Sequence, residues 1–279
     1  GGWYEAKVTY KRISAKEYQV ILPQITIGGT AQIQFKGVHR GPDNTVFTAS
    51  FTVPAKEECQ DPVTSRQPKR ELTPAEFADG SPVYVVTSEP AGRTRDTSVL
   101  RRQIDQGRDY RQVGEKTPWV YNSLAFNSSD NWLYAVSQIR GENGDPCYPA
   151  GHLLQINPAT GVVHNLGPIL TSGSTGTPFE TSSDRDLLNA GVYTSEGFFV
   201  ANTSTSGTRR LYRIDVDNVT AKRVFGNQQS FSEDWAVLPQ AQKYMWGFQS
   251  RSQAGDKLIL ERIDTQTGAV KTWDLTGIK

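Results

Sequence analysis

"LLQINPATGVVHNLGPI", Leu153 to Ile169, reads as an alternating strand, a polar turn closing on Gly161, and a second alternating strand. A lone hairpin says little about function, whereas a recurring one fixes the architecture. It recurs. "VYNSLAFNSSDNWLYAVSQ" (120–138) leads into "GHLLQINPATGVVHNLG" (151–167); "LLNAGVYTSEGFFVANT" (187–203) leads into "RRLYRIDVDNVTAKRVFG" (209–226); and "SEDWAVLPQAQKYMWGFQS" (232–250) leads into "DKLILERIDTQTGAVKTWDL" (256–275). Each copy carries four short strands of alternating polarity.

The third strand of each copy ends at Ile156-Asn157, Ile214-Asp215 or Ile263-Asp264, and two of the turns close on Thr160-Gly161 and Thr267-Gly268. Glycine there accepts φ > 0, and the Asn or Asp side chain accepts hydrogen bonds from the following amides in an Asx turn. The middle copy has Asp217-Asn218 in that place and requires a different close. A weaker copy precedes these, "SPVYVVTSEP" (81–90) and "SVLRRQIDQGRDYRQVG" (98–114), with its turn shortened to Ile104-Asp105 and Gly107. The four isoleucines are separated by 52, 58 and 49 residues.

A four-stranded unit of roughly 40 to 50 residues with variable loops predicts an all-β fold, a β-propeller of four-stranded blades. Residues 1–279 then form one propeller domain, with 81–279 as the clearer repeat and 1–80 as a divergent N-terminal blade region. Six blades of ~46 residues or five with an elaborated first blade both fit the length. "AQIQFKGVHR" (31–40) with "TVFTASFTVP" (45–54) reads as an inner pair, and "WYEAKVTYKRI" (3–13) with "KEYQVILPQITIGG" (16–29) supplies further strands. Exchange of a strand between the two ends of the chain is expected to seal the open edges. Helix is nearly absent; "TPAEFADG" (73–80) is expected to make one or two turns after Thr73. Two β-sandwiches also supply many strands, but would not set the same turn at the same point of a four-strand unit.

The succession "YNSLAFNSSDNWLYAV" then "GHLLQINPATGVVHNLG", repeated as "GVYTSEGFFVAN" then "LYRIDVDN", resembles the secreted, non-WD β-propeller domains of bacterial and fungal extracellular or surface proteins, over residues 81 to 279. The paired Gly-His and Trp-Asp of WD40 blades do not stand at their usual places. The resemblance implies a rigid scaffold with variable loops. It selects no activity, because propellers serve as lectins, adhesion modules, lyases and hydrolases alike.

Thirty Lys and Arg against 29 Asp and Glu leave a formal charge of +1, which argues against nucleic acid as a partner. No apolar run approaches the ~20 residues of a membrane-spanning helix, so no membrane insertion is expected. The opening "GGWYEAKVTY" has no apolar signal core, as in a mature exported chain whose signal has been removed or in a recombinantly trimmed one. Sequons begin at Asn127, Asn202 and Asn218, compatible with glycosylation. Cys59 and Cys147, the only two cysteines, lie in polar, proline-punctuated segments, which favours a disulfide between them in an oxidising compartment.

No catalytic residue stands out. The chain has three histidines; His152 and His164 bracket one hairpin, where they either approach a metal or form an exposed cross-strand pair. Nucleophile elbow, zinc helix, Walker loop and dinucleotide fingerprint are all absent. Asn122, Asn189 and Asp234 open the innermost strands, where their oxygens either bind calcium or sugar hydroxyls or lock neighbouring blades together. Calcium is the only cofactor this pattern would admit. Arg140, Glu142, Asp145, Asp184, Arg185 and Asp186 lie in longer loops, as acid-base groups for a glycoside or as a salt-bridged surface. Trp119 and Trp132 are the candidates for an exposed stacking platform, while Tyr134, Tyr193, Tyr212 and Tyr244 read as inter-blade core. Together these features lead to a noncatalytic recognition module, secreted or at the cell surface, binding glycan or extracellular protein. The alternatives are a polysaccharide lyase or glycoside hydrolase, and a structural assembly domain.

Overall fold

The computed structural model describes residues 9–12, 18–21, 29–34, 48–53, 83–90, 95–104, 109–141, 145, 147–172, 188–202, 211–225, 232, 234–238, 240–249 and 256–278. The chain divides into two units, Gly1–Asp61 and Pro62–Lys279. The first contains two antiparallel hairpins, β1 (Thr9–Arg12) with β2 (Tyr18–Ile21), and β3 (Gly29–Gln34) with β4 (Thr48–Val53). The short helix expected at 73–80 lies outside the described residues.

The second unit is a succession of blades. Blade 1 comprises β5 (Tyr84–Glu89), β6 (Thr97–Gln103) and β7 (Tyr110–Gln112). Blade 2 is a four-stranded meander of β8 (Tyr121–Asn127), β9 (Trp132–Ser137), β10 (His152–Ile156) and β11 (Val163–Pro168). β12 (Leu170–Thr171) follows it. Blade 3 is the meander β13 (Leu188–Thr194), β14 (Gly197–Asn202), β15 (Leu211–Asp215) and β16 (Thr220–Val224). Blade 4 has β17 (Tyr244–Phe248), β18 (Ile259–Asp264) and β19 (Val270–Asp274), and where its innermost strand belongs Ala236 bridges to Trp246 of β17 and Ser232 to Gln249 just after it.

The period of two distributes each strand's side chains between two interfaces. From β9, Trp132, Tyr134 and Val136 enter the core shared with Phe198, Val200 and Ile214 of blade 3. The intervening Leu133 and Ala135 enter the core shared with Leu100, Tyr84 and Val86 of blade 1. From β14, Phe198 and Val200 face blade 2, whereas Phe199 and Ala201 pack with Met245 and Ile263 of blade 4. A sheet covered on both faces explains why all six residues of β9 are buried. Each large apolar side chain so enclosed contributes about 1.5–3 kcal/mol. Four-stranded antiparallel units, each burying both faces against the next, are propeller blades, and the fold is all-β of the β-propeller type.

The Asx turns form as the sequence predicts. Asn157 Oδ1 accepts from the amides of Ala159 (2.9 Å) and Thr160 (3.1 Å), Asp215 Oδ1 from Asp217 (2.9 Å) and Asn218 (3.0 Å), and Asp264 Oδ1 from Gln266 and Thr267 (both 3.0 Å). Gly161 and Gly268 close two of them at φ +73° and +74°. In the middle copy Val219 takes that position at φ +51°, a left-handed conformation that is unfavourable for a β-branched residue. The weaker copy departs from the others: Ile104 follows β6 and is 53% exposed, while Ile156, Ile214 and Ile263 are interior.

One edge is covered by a device absent from the sequence reading. β12 pairs in parallel with β16, Leu170 with Thr220 and Thr171 with Ala221, so the chain leaving blade 2 becomes a fifth strand on the outer edge of blade 3. That short strand removes a free ladder that would otherwise invite pairing with another chain.

Candidate functional site

Antiparallel meanders alternate their connections between two ends of a blade. One end of these sheets carries the tight turns: the Asx turns, the turn after Asn127, and the Thr194–Gly197 turn. At the other end β9, β12, β14 and β17 finish, at Ser137, Thr171, Asn202 and Phe248, and the chain runs 14 residues, 16 residues, eight residues and ten residues respectively before the next strand begins. Asn122, Asn189 and Asp234 begin their inner segments at that loop end, and Arg140 and Asp145 belong to one of its connections.

A close approach of backbones brings two of these together. Ser123 adopts φ +56° within an irregularity of β8, and a Cβ on Gly191 would lie 2.1 Å from the Ser123 carbonyl oxygen. Only glycine at 191 permits β8 and β13 to run so close. Two residues before it, Asn189 Oδ1 accepts from Asn122 Nδ2 at 3.4 Å and from Gln138 Nε2 at 3.4 Å. Gln138 also donates to the Leu188 carbonyl at 2.7 Å, and its Oε1 accepts from Arg95 Nη1 at 2.8 Å. Asn122 Oδ1 accepts the Ser123 amide at 2.9 Å. Arg95, Gln138, Asn122 and Asn189 thus form one polar chain across blades 1, 2 and 3. Sequence reasoning missed Arg95 and Gln138, because their bond joins residues 43 apart and depends on how blade 1 packs on blade 2.

The two arginines of this end differ in their partners. Arg140 donates through Nε to the Asp96 carbonyl at 2.8 Å, forms an ion pair with Asp145, and lies 5.1 Å from the Tyr148 ring centre. Arg95, joined to that segment through its carbonyl oxygen accepting the Gly141 amide at 2.8 Å, has no carboxylate among the described residues within salt-bridge distance. Its Nε is buried without a hydrogen-bond partner, and burial lowers the guanidinium pKa from its ordinary value. Arginine nonetheless remains charged in proteins.

Several expectations are corrected. Trp119 is 3% exposed and Trp132 0%, so neither is an exposed platform. Trp119 packs edge-on to Tyr148 at 5.2 Å and beside His152 at 6.0 Å; Trp132 meets His164 edge-on at 5.7 Å. Both tryptophans sit where a strand enters an inter-blade core, and burial of that much apolar ring area decides their placement. His152 and His164 do not face each other, because His164 pairs with Gln155 and His152 with Pro168. Nor are they exposed: His164 is buried, and His152 Nδ1 lies 3.0 Å from Asn165 Oδ1, with burial pushing the His152 pKa down against the opposing effect of that bond. Tyr134, Tyr193 and Tyr212 line the core between blades 2 and 3 as expected. Tyr244 instead lies on the face of blade 4 turned away from blade 3, 4.1 Å from the Arg262 guanidinium.

Asn127 is buried, with its Oδ1 accepting the Ser129 amide at 3.0 Å, so that sequon is inaccessible in the folded chain, whereas Asn218 is exposed. Asp234 is exposed at the start of blade 4. Asp184, Arg185, Asp186, Glu142 and Cys59 lie outside the described residues. None of the described cysteines is free. Among the described residues no cluster of three or more metal-ligating side chains occurs, and no helix is long and apolar enough to cross a membrane.

A family model described as a repeat of unknown function, DUF6923, matches residues 86–279. The chain belongs to that repeat family. The match begins in β5 and runs through all four blades, the same stretch in which the turn and strand pattern recurs. No curated protein matches. Among solved structures, the chain is similar to Bacteroides ovatus xyloglucan PUL GH43B, with 12% identity and a TM-score of 0.42, over 70% of this chain and 39% of that one. It is also similar to Citrobacter koseri AztD, with 13% identity and a TM-score of 0.34, over 68% and 43% of the two chains. A putative 6-phosphogluconolactonase of Bacteroides fragilis has 13% identity and a TM-score of 0.36, over 88% of this chain and 63% of that one. The chain spans less than two thirds of the length of each of these structures.

Proposed function

We propose that the chain is a recognition module, exported or displayed at a cell surface, that binds glycan without turnover through the loop end of its blades. The observation that supports it is the convergence of Asn122, Gln138, Asn189 and Arg95 from three blades into one polar chain that ends on the half-buried Arg95 guanidinium. Side-chain amides suit the alternating donors and acceptors of sugar hydroxyls, and Asn122 and Asn189 stand on β8 and β13, whose positions are more rigid than loop tips. The two ring-buried tryptophans leave recognition to polar groups and to whatever aromatic residues the neighbouring connections supply. Export is supported by the two-cysteine composition and by the accessible Asn218 sequon. A glycan array screened with the purified protein, followed by incubation of each bound glycan and product analysis, tests the reading. Retention without product is expected; release of cleaved product would replace it with a lyase or hydrolase, and failure to retain any glycan would favour a protein partner or an assembly role.

A further inference from the structure

Arg95 is a half-buried cation whose guanidinium has, among the described residues, one hydrogen-bond partner, the uncharged amide oxygen Gln138 Oε1 at 2.8 Å. Resting on the glycan-recognition reading, we infer that the ligand is an acidic sugar, and that its carboxylate is received by the Arg95 guanidinium. Arg140 lies next to the Arg95–Gly141 backbone contact, and the two cations differ in their partners. Arg140 has its carboxylate from within the chain, Asp145, and in addition the Tyr148 ring. Arg95 has neither, and its Nε–H is buried without an acceptor.

A guanidinium presents five donors in a planar fork and is most often met by a carboxylate or phosphate in two parallel bonds. Leaving it unanswered in a partly desolvated place is unfavourable, so a structure that retains it there gains most when an anion arrives. Gln138 fixes the fork from one side: its Nε2 is held by the Leu188 carbonyl and Asn189, which leaves Oε1 for Arg95. The guanidinium is therefore oriented before a ligand binds. Asn122 and Asn189 lie on the same polar chain, and amides beside a cation match a carboxylate flanked by ring hydroxyls better than they match a bare inorganic anion or an acidic peptide.

The test uses isothermal titration of wild-type protein with trigalacturonate and with 3′-sialyllactose, each paired with its neutral counterpart, galactotriose or lactose, and with a tri-aspartyl peptide as the non-sugar acid. One acidic sugar is expected to bind more tightly than its neutral counterpart, and Arg95→Gln is expected to weaken it by about 10- to 100-fold, the range for loss of a charge-assisted pair. Binding of the neutral counterpart should change less than threefold. Arg95→Lys keeps the charge and loses the fork, so it should fall between the two; it also serves if the glutamine variant does not fold, as judged by its melting curve. Equal affinity of wild type and variants for the acidic sugar overturns the inference. If a neutral sugar binds and neither acidic sugar does, the inference fails while the glycan reading stands. If the tri-aspartyl peptide binds through Arg95 and no sugar does, both fail.

Discussion

Replacing Gly161 with alanine tests how rigidly one blade is seated on the next. Gly161 closes the blade 2 Asx turn at φ +73°, and a Cβ there would lie 2.4 Å from the Val113 carbonyl oxygen. The approach is mutual: at Gly114, φ +67°, a Cβ would lie 2.0 Å from the Thr160 oxygen. Two costs add. The left-handed backbone costs an L-residue about 1–2 kcal/mol. The contact falls on backbone atoms, which cannot rotate away, so its relief resembles overpacking at about 1–3 kcal/mol. Gly161→Ala is thus expected to lose about 2–5 kcal/mol. Gly141 supplies the control, since at φ +66° no atom of the described residues lies within 4 Å of an added Cβ. Gly141→Ala should show only the backbone cost, about 1–2 kcal/mol. Urea melts at 25 °C followed by far-ultraviolet circular dichroism measure both, and the m-values should agree so that the midpoints report stability. If Gly161→Ala melts no earlier than Gly141→Ala, the seam yields freely and the close-packing argument is refuted.

The turn carboxylates give a pH prediction. Asp215 is held below its usual pKa chiefly by the Asn218 side chain; for Asp264, burial acts upward and is outweighed by the Thr267 and Gln266 amides. A folded pKa below the unfolded one means stability is fully present above about pH 4 and lost as pH falls through the folded value. The double variant Asp215→Asn, Asp264→Asn copies the Asn157 turn and should flatten the acid side of the stability profile; an unchanged slope would contradict the assignment. Trp119→Ala and Trp132→Ala should each lose about 3–5 kcal/mol, so a loss of ligand binding with no loss of melting temperature would restore the surface reading. A Cys59–Cys147 disulfide is expected on nonreducing peptide mapping, restricting the unfolded chain by at most about 4–5 kcal/mol; two alkylatable thiols after oxidising preparation would remove both the bond and a support for export.

Blade order and turn chemistry were legible because both depend on local sequence: period-two alternation and Asx turns need only a few adjacent residues. Asn122 and Asn189 were legible as a pair for the same reason, each opening the first strand of its copy. The tryptophans were misplaced because proximity to a turn says nothing about which face of the next blade a ring meets; Trp132 begins a strand whose two faces are both covered. Arg95 and Gln138 could not be read at all, since their bond joins residues 43 apart and depends on the packing of blade 1 against blade 2. Val219 was half legible: the missing glycine was evident, but its left-handed backbone was not.

The most direct test of the account compares the two ends of the blades. The tightest glycan from an array, titrated against wild type, Asn189→Ala at the loop end and Gln266→Ala at the turn end, should lose at least tenfold affinity with the first substitution and remain within twofold with the second. Gln266 is exposed and its turn bond is made by its backbone; the substitution removes only the exposed bond from its Nε2 to Glu196 Oε1 at 2.9 Å, so the second variant should fold normally. Affinity lost at the turn end and retained at the loop end would contradict the placement of the site.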